Sequence, residues 1–167
     1  MTATPVEAQK LLAAPRHPGL RLKKILAPID FSPASKNAVK YALRFAEEFG
    51  AQLTLLNVLE PAPAAGFVGI QGAPPFSEFD FDRVEKNLRS IVTSVSKGER
   101  PRWKVRVGLP SHEIVEAAKE ADVDLIVIAT HGYTGWKHFC IGSTAERVVR
   151  AAPCPVLVVR EKEHEFC

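Results

Sequence analysis

The sequence predicts an α/β domain built on a parallel sheet. Three observations carry this: five short apolar runs, four segments of amphipathic helical periodicity that alternate with them, and turn-forming residues at the junctions. Strands joined through helices in this way take right-handed crossovers. A chain of 167 residues, 46% of them hydrophobic, buries one sizeable core and requires no second domain.

Lys24 to Pro28 reads as the first strand, ending at its proline. Ser32 then stands as an N-cap, with Pro33 at the first helical position, where a missing N–H costs nothing. The helix runs to Gly50, with Val39, Leu43, Ala46 and Phe49 as its apolar stripe and Lys36, Lys40, Arg44 and Glu47 on the other side. Gln52 to Val58 is the second strand. Residues 60–80 are rich in Pro, Gly and Ala, with Gly66, Gly69 and Gly72 spaced by threes. The dinucleotide fingerprint needs a different spacing in a tight strand-to-helix turn, so this stretch reads as a loop insertion or lid.

A second helix follows, with Val84, Leu88, Ile91 and Val95 on one face, and ends near Lys97 and Gly98. Trp103 to Val107 is the third strand. Gly108 to Ser111 turns the chain into a third helix whose Ile114, Val115, Ala118 and Ala121 face inward. The short apolar run in Asp124 to Ile128 suits a strand covered on both faces. Ser143 to Ala152 is a fourth helix carrying Val148, Val149 and Ala152, and Val156 to Val159 is the last strand. Residues 1–22, with Pro5, Pro15 and Pro18 and no sustained period, form a flexible extension; residues 23–160 are the domain and 161–167 a tail.

The net charge of +3 is small and dispersed, which argues against nucleic-acid binding. No apolar stretch is long enough for a membrane span, and the N-terminus lacks the apolar core of a secretory signal, so the expected location is the cytoplasm. Cys140, Cys154 and Cys167 fit neither a disulfide set nor a zinc pair spacing and read as reduced thiols.

The chemistry-bearing run is Ala129-Thr130-His131-Gly132, followed by Gly142-Ser143-Thr144. It links a buried strand, a glycine-bearing loop and a helix start. Unpaired amides and the positive dipole end there favour an anion, with a nucleotide as first candidate. Ser143 and Glu146 also match a capping box. His131, His138 and Cys140 lack a structural zinc pattern, and any metal is expected as Mg²⁺ or Mn²⁺ on nucleotide phosphates. Ser111, His112 and Glu113 are sequence neighbours that do not face one another as a catalytic relay must. A glycine-lysine-serine or glycine-lysine-threonine phosphate loop is missing, which leaves at most slow ATP hydrolysis.

Lys23 to Ser32 (KKILAPIDFS), Leu53 to Val58 (LTLLNV), Ala129 to Gly132 with Gly142 to Val148 (GSTAERV), and Cys154 to Arg160 (CPVLVVR) together closely resemble the universal stress protein family. The resemblance covers nearly all of residues 23–160, in the family's order and spacing. It implies an open five-stranded parallel sheet of order 3-2-1-4-5 with helices on both faces, adenine-nucleotide alpha-hydrolase-like, and a homodimer. In one branch it implies an ATP or AMP site over the carboxyl ends of strands one and four, where open α/β sheets in general bind ligands.

That branch has the pattern glycine, two residues, glycine, nine residues, glycine, then serine or threonine. Here Ala129 takes the first position, Gly132 and Gly142 the next two, and Ser143 the last. Carried over, Pro28 lines the pocket, Asp30 meets the nucleoside, Val58 makes an apolar contact with adenine, and the backbone of Ile128 also meets the base. Gly132, Gly142, Ser143 and Thr144 bind phosphates. Asp30 has a second reading as a turn former, and the two glycines as positions of positive φ. The apolar edge strand Val156 to Val159 points to self-pairing across a two-fold axis. Two alternatives to a nucleotide-responsive dimer stay open: a dimeric interaction module that binds no nucleotide, favoured by Ala129, and a slow ATPase.

Overall fold

The computed structural model of the chain describes residues 21–61, 78–94, 100–130 and 142–160. Most of the N-terminal extension and of the 60–80 insertion, Val95, Lys97 and Gly98, the loop bearing His131, Gly132, His138 and Cys140, and the C-terminal tail lie outside the described residues. The elements are β1 (Lys24–Pro28), α1 (Pro33–Phe49), β2 (Gln52–Leu59), α2 (Glu78–Ser94), β3 (Arg102–Val107), α3 (Pro110–Ala121), β4 (Leu125–Ala129), α4 (Ser143–Ala151) and β5 (Val156–Val159). All strand pairs are parallel and the order is β3-β2-β1-β4-β5.

Side-chain alternation along the strands divides the core into two layers. Ile25, Ala27, Leu53, Leu55, Val127 and Ala129 face α1 and α2, whereas Leu26, Leu56, Ile126 and Ile128 face α3 and α4. Leu53, Leu55, Leu56 and Ile126 are at most 1% exposed, and burial of each such side chain is worth about 1.5–3 kcal/mol.

Local signals explain most boundaries. The Ser32 hydroxyl accepts from the Ser35 amide at 3.1 Å, capping α1 as its sequence position foretells. Gly50 ends the helix at φ 65, with its amide bonded to the Ala46 carbonyl. Gly108, at φ 149, turns β3 into α3; a Cβ there would stand 2.9 Å from Glu113 Oε1.

Several expectations are corrected. The buried face of α1 is Ala34, Ser35, Ala38, Val39, Tyr41 and Ala42, while Leu43, Ala46 and Phe49 are only partly buried, because close approach to the sheet selects small residues. On α2, Val92 is buried beside Val84 and Leu88, and Ile91 lies at the margin. Ala121 is partly buried, and Val149 is 46% exposed, on the side of α4 away from buried Val148. Helix α2 begins at Glu78, inside the stretch read as insertion, and Leu22 packs on the core rather than belonging to a free extension.

Asp124 lies outside β4. Its carboxylate accepts the amides of Lys23 at 2.7 Å and Lys24 at 2.9 Å, tying the start of β1 to the α3–β4 turn. These bonds hold its carboxyl below the usual carboxylate range. At the β3 edge, Arg106 pairs with Glu113 and Glu120 of α3. Among the described residues no helix is long and apolar enough to cross a membrane.

Candidate functional site

Strands β1 and β4 are neighbours, yet the chain leaves β1 toward one face of the sheet through α1 and leaves β4 toward the other through α4. Connections that diverge from adjacent parallel strands open a crevice at their carboxyl ends. The described sequence-predicted residues stand at or near the ends of β1, β2 and β4 and at the start of α4. Pro28 is buried at the end of β1, Asp30 follows it half-buried, Val58 is half-buried near the end of β2, and Ile128 and Ala129 close β4. Gly142, Ser143 and Thr144 lie across from them at the start of α4.

The two helix starts at this crevice differ. At α1, Asp30 Oδ1 accepts the Ser32 amide at 3.0 Å and the Ser32 hydroxyl accepts that of Ser35, so side chains supply acceptors for its amides. The turn is strained, since Phe31 sits at φ 67, a left-handed conformation that costs a bulky residue about 1–3 kcal/mol. At α4 no side chain among the described residues caps the helix. Its N-cap is Gly142, and Ser143 is the first helical residue.

The expected Ser143–Glu146 capping box is therefore not formed. One position into the helix, the Ser143 hydroxyl is beyond the N-cap geometry, and Glu146 instead holds Arg150, Oε1 to Nη2 at 2.9 Å. Amides in the first helical turn have no acceptor within the helix, and those of Ser143 and Thr144 have none among the described residues. The Gly142 amide is already used, donating to the Thr130 carbonyl at 2.7 Å. At φ −61 and ψ 150 Gly142 is also not a residue of positive φ, which removes the conformational reading of that glycine.

Ala129, the departure from the nucleotide-binding pattern, is 7% exposed and its methyl packs in the layer beneath α1 and α2. The side chains of Val58 and Ile128 belong to the other layer.

Sequence reading missed Asn57. It is 5% exposed, its Nδ2 donates to the Ile29 carbonyl at 2.7 Å, and its Oδ1 is buried with no hydrogen-bond partner among the described residues. An unmet buried acceptor costs ~1–3 kcal/mol, a burden that points to a role beyond packing. The visible signal was an amide side chain in the otherwise apolar end of the run Leu55-Leu56-Asn57-Val58. Among the described residues, no group of three or more His, Cys, Asp and Glu is placed to hold a metal ion.

Known proteins match this architecture closely. The family model described as universal stress protein family matches residues 21–160. A universal stress protein of Methanocaldococcus jannaschii is 35% identical over 144 residues, covering 86% of this chain and 85% of that protein. The structure of universal stress protein UspA from Lactobacillus plantarum superposes with a TM-score of 0.69 at 28% identity, covering 85% of this chain and 100% of that one. A universal stress protein from Archaeoglobus fulgidus, solved in complex with dAMP, shares the fold at a TM-score of 0.62 and 21% identity, over 83% of this chain and 97% of that one. With its strand order, its two-layered core and the model match over 21–160, the chain belongs to the universal stress protein family.

Proposed function

We propose that this chain binds an adenine nucleotide, ATP or AMP, in the crevice over β1 and β4, and acts as a nucleotide-responsive dimer in the stress response. The observation that carries the reading is the start of α4, where a glycine that the backbone conformation does not require precedes two hydroxyl residues whose amides lack helical acceptors. Phosphate oxygens accept from the amides and hydroxyls of Ser143 and Thr144, with Gly132 joining them on the sequence pattern. Gly142 contributes the space left by its missing side chain. Ala129 is compatible with this pose, because its methyl belongs to the core. Charge-assisted bonds of this kind contribute ~1.5–3 kcal/mol each, so a few suffice for micromolar affinity.

Asp30 meets the nucleoside from the β1–α1 turn and Pro28 lines the pocket. Val58 contacts the base from β2, and the backbone of Ile128 meets it from β4. Mg²⁺ or Mn²⁺ rides on the phosphates. The fold is one that holds such a ligand elsewhere, as in the Archaeoglobus fulgidus protein with dAMP.

The two sheet edges support the dimer. Edge strand β3 carries Arg102, Lys104 and Arg106, charges that discourage strand pairing, whereas edge strand β5 is Val156-Leu157-Val158-Val159 with none. Self-pairing of β5 across a two-fold axis covers it.

Calorimetric titration of the purified protein with ATP and with AMP tests the reading. Saturable binding at one site per chain supports it. No heat at millimolar nucleotide, with the dimer intact, leaves the interaction module in its place. Steady release of ADP over hours identifies the slow ATPase instead.

A further inference from the structure

We propose that Asn57 is a positioning residue that holds the β1–β2 ladder open, so that the main-chain polar groups of Val58 face the nucleotide base; the part that concerns the base rests on the function proposed above. The ladder between β1 and β2 runs from Lys24–Gln52 to Pro28–Leu56, and its last rung is the Ile29 amide on the Leu56 carbonyl at 2.8 Å. In a parallel ladder the next rung takes the Val58 amide to the Ile29 carbonyl. That rung is not made.

The Ile29 carbonyl instead accepts Asn57 Nδ2 at 2.7 Å, and the Val58 amide has no hydrogen bond to another described residue. On its other side, β2 stays paired with β3 through Leu59–Val107, so the release is confined to the edge of β2 that faces β1. The result is a donor and an acceptor of one residue, Val58 N–H and C=O, side by side at the end of the sheet and pointing toward the crevice. An adenine presents the complementary pair, a ring nitrogen that accepts beside an exocyclic amino group that donates.

This role also accounts for the unmet Oδ1. A side chain kept for packing would be better replaced by an apolar one of similar volume. Asn57 keeps a buried acceptor unpartnered because its amide nitrogen is needed on Ile29. Phe31 works in the same direction: at φ 67 it bends the chain away from β2 directly after Asp30, and so blocks a further rung to the Val58 carbonyl.

The test compares the full chain with Asn57→Val and Asn57→His, using AMP titration, thermal unfolding and hydrogen exchange of the Val58 amide followed by NMR. Valine removes the competing donor, so the expected result is a zipped rung: the Val58 amide becomes protected at least about tenfold, the unfolding temperature does not fall, and AMP affinity drops by about tenfold or more. Histidine carries a ring nitrogen at the same distance from Cβ as Asn57 Nδ2, and is expected to keep both the exposed amide and the affinity.

Unchanged Val58 exchange in Asn57→Val overturns the proposal. So does an affinity loss that merely tracks a lower unfolding temperature. If the parent protein binds no AMP, the proposed function falls, and Val58 exchange in Asn57→Val still decides the ladder claim by itself.

Discussion

The amide of Gly142 donates to the carbonyl of Thr130 at 2.7 Å, joining the end of β4 to the start of α4 across a gap of eleven residues in the chain. The Thr130 amide in turn bonds the Val159 carbonyl of β5 at 2.9 Å, and Thr130 is 6% exposed. The start of α4 is thereby anchored to the sheet through backbone hydrogen bonds. Ser143 and Thr144 are presented from this rigid point.

Gly142→Val follows from that geometry. Valine tolerates φ −61 and ψ 150, so the change places a branched side chain at the mouth of α4 without backbone strain. The expected outcome is loss of ATP and AMP binding in calorimetry, with a stability cost of about 1 kcal/mol from the poorer N-cap. Unaltered affinity would place the phosphates elsewhere.

Asp30→Ala is expected to weaken AMP binding while helix content by circular dichroism stays close to the parent. Its carboxylate also accepts the Ser32 amide at 3.0 Å, so a modest loss of stability, about 1 kcal/mol, accompanies the change. Ser32→Ala removes the α1 cap alone and costs about 0.5–2 kcal/mol in urea unfolding. Comparing the two separates the carboxylate's contact with ligand from its part in the turn.

Legibility in the sequence differed between fold and site. The element order was readable because the apolar runs and helical stripes are regular, and Ser32-Pro33 and Gly50 sit where α1 starts and stops. The α1 stripe was misread at Ala38 and Ala42, since small residues carry little hydrophobic signal yet lie closest to the sheet. Ser143 was misread as a cap because Ser-x-x-Glu fits two registers one residue apart, and only the backbone at Gly142 separates them. Asn57 was passed over for a different reason: the amide stood out in its apolar run, but its partner is a carbonyl 28 residues away, at Ile29, which leaves no residue-type signature to say what it does.

Asp124 contributes an acid-sensitive part of the stability. Its carboxyl is held below the ordinary value of 3.8 by the Lys23 and Lys24 amides, so the folded state binds this proton less readily than the unfolded chain. The stability it provides is full above that value and lost as pH falls through the lower, folded one. Asp124→Asn is therefore expected to lower stability at neutral pH, with the gap to the parent narrowing in urea titrations as pH falls below the ordinary value of 3.8. A constant gap across pH would exclude this carboxylate as its source.

The dimer prediction needs a position on β5 that is not fully buried in the core. Val159, read from sequence as part of the bare edge, is 1% exposed and packs beneath α1, so its substitution would unfold rather than dissociate the protein. Val158 is half-buried on the edge strand. Val158→Lys is expected to shift the protein from dimer to monomer in sedimentation at micromolar concentration, with the unfolding transition still cooperative. A parent that sediments as a monomer would contradict the pairing.

The central claim is that the opening turn of α4 and the end of β2 hold a single adenine nucleotide between them. Titrating AMP into isotopically labelled protein and following backbone amide resonances tests it most directly. The account predicts saturable shifts at Ser143, Thr144 and Val58, with micromolar half-saturation. Resonances of these three residues that stay fixed at millimolar AMP, or shifts confined to another face of the sheet, would contradict it.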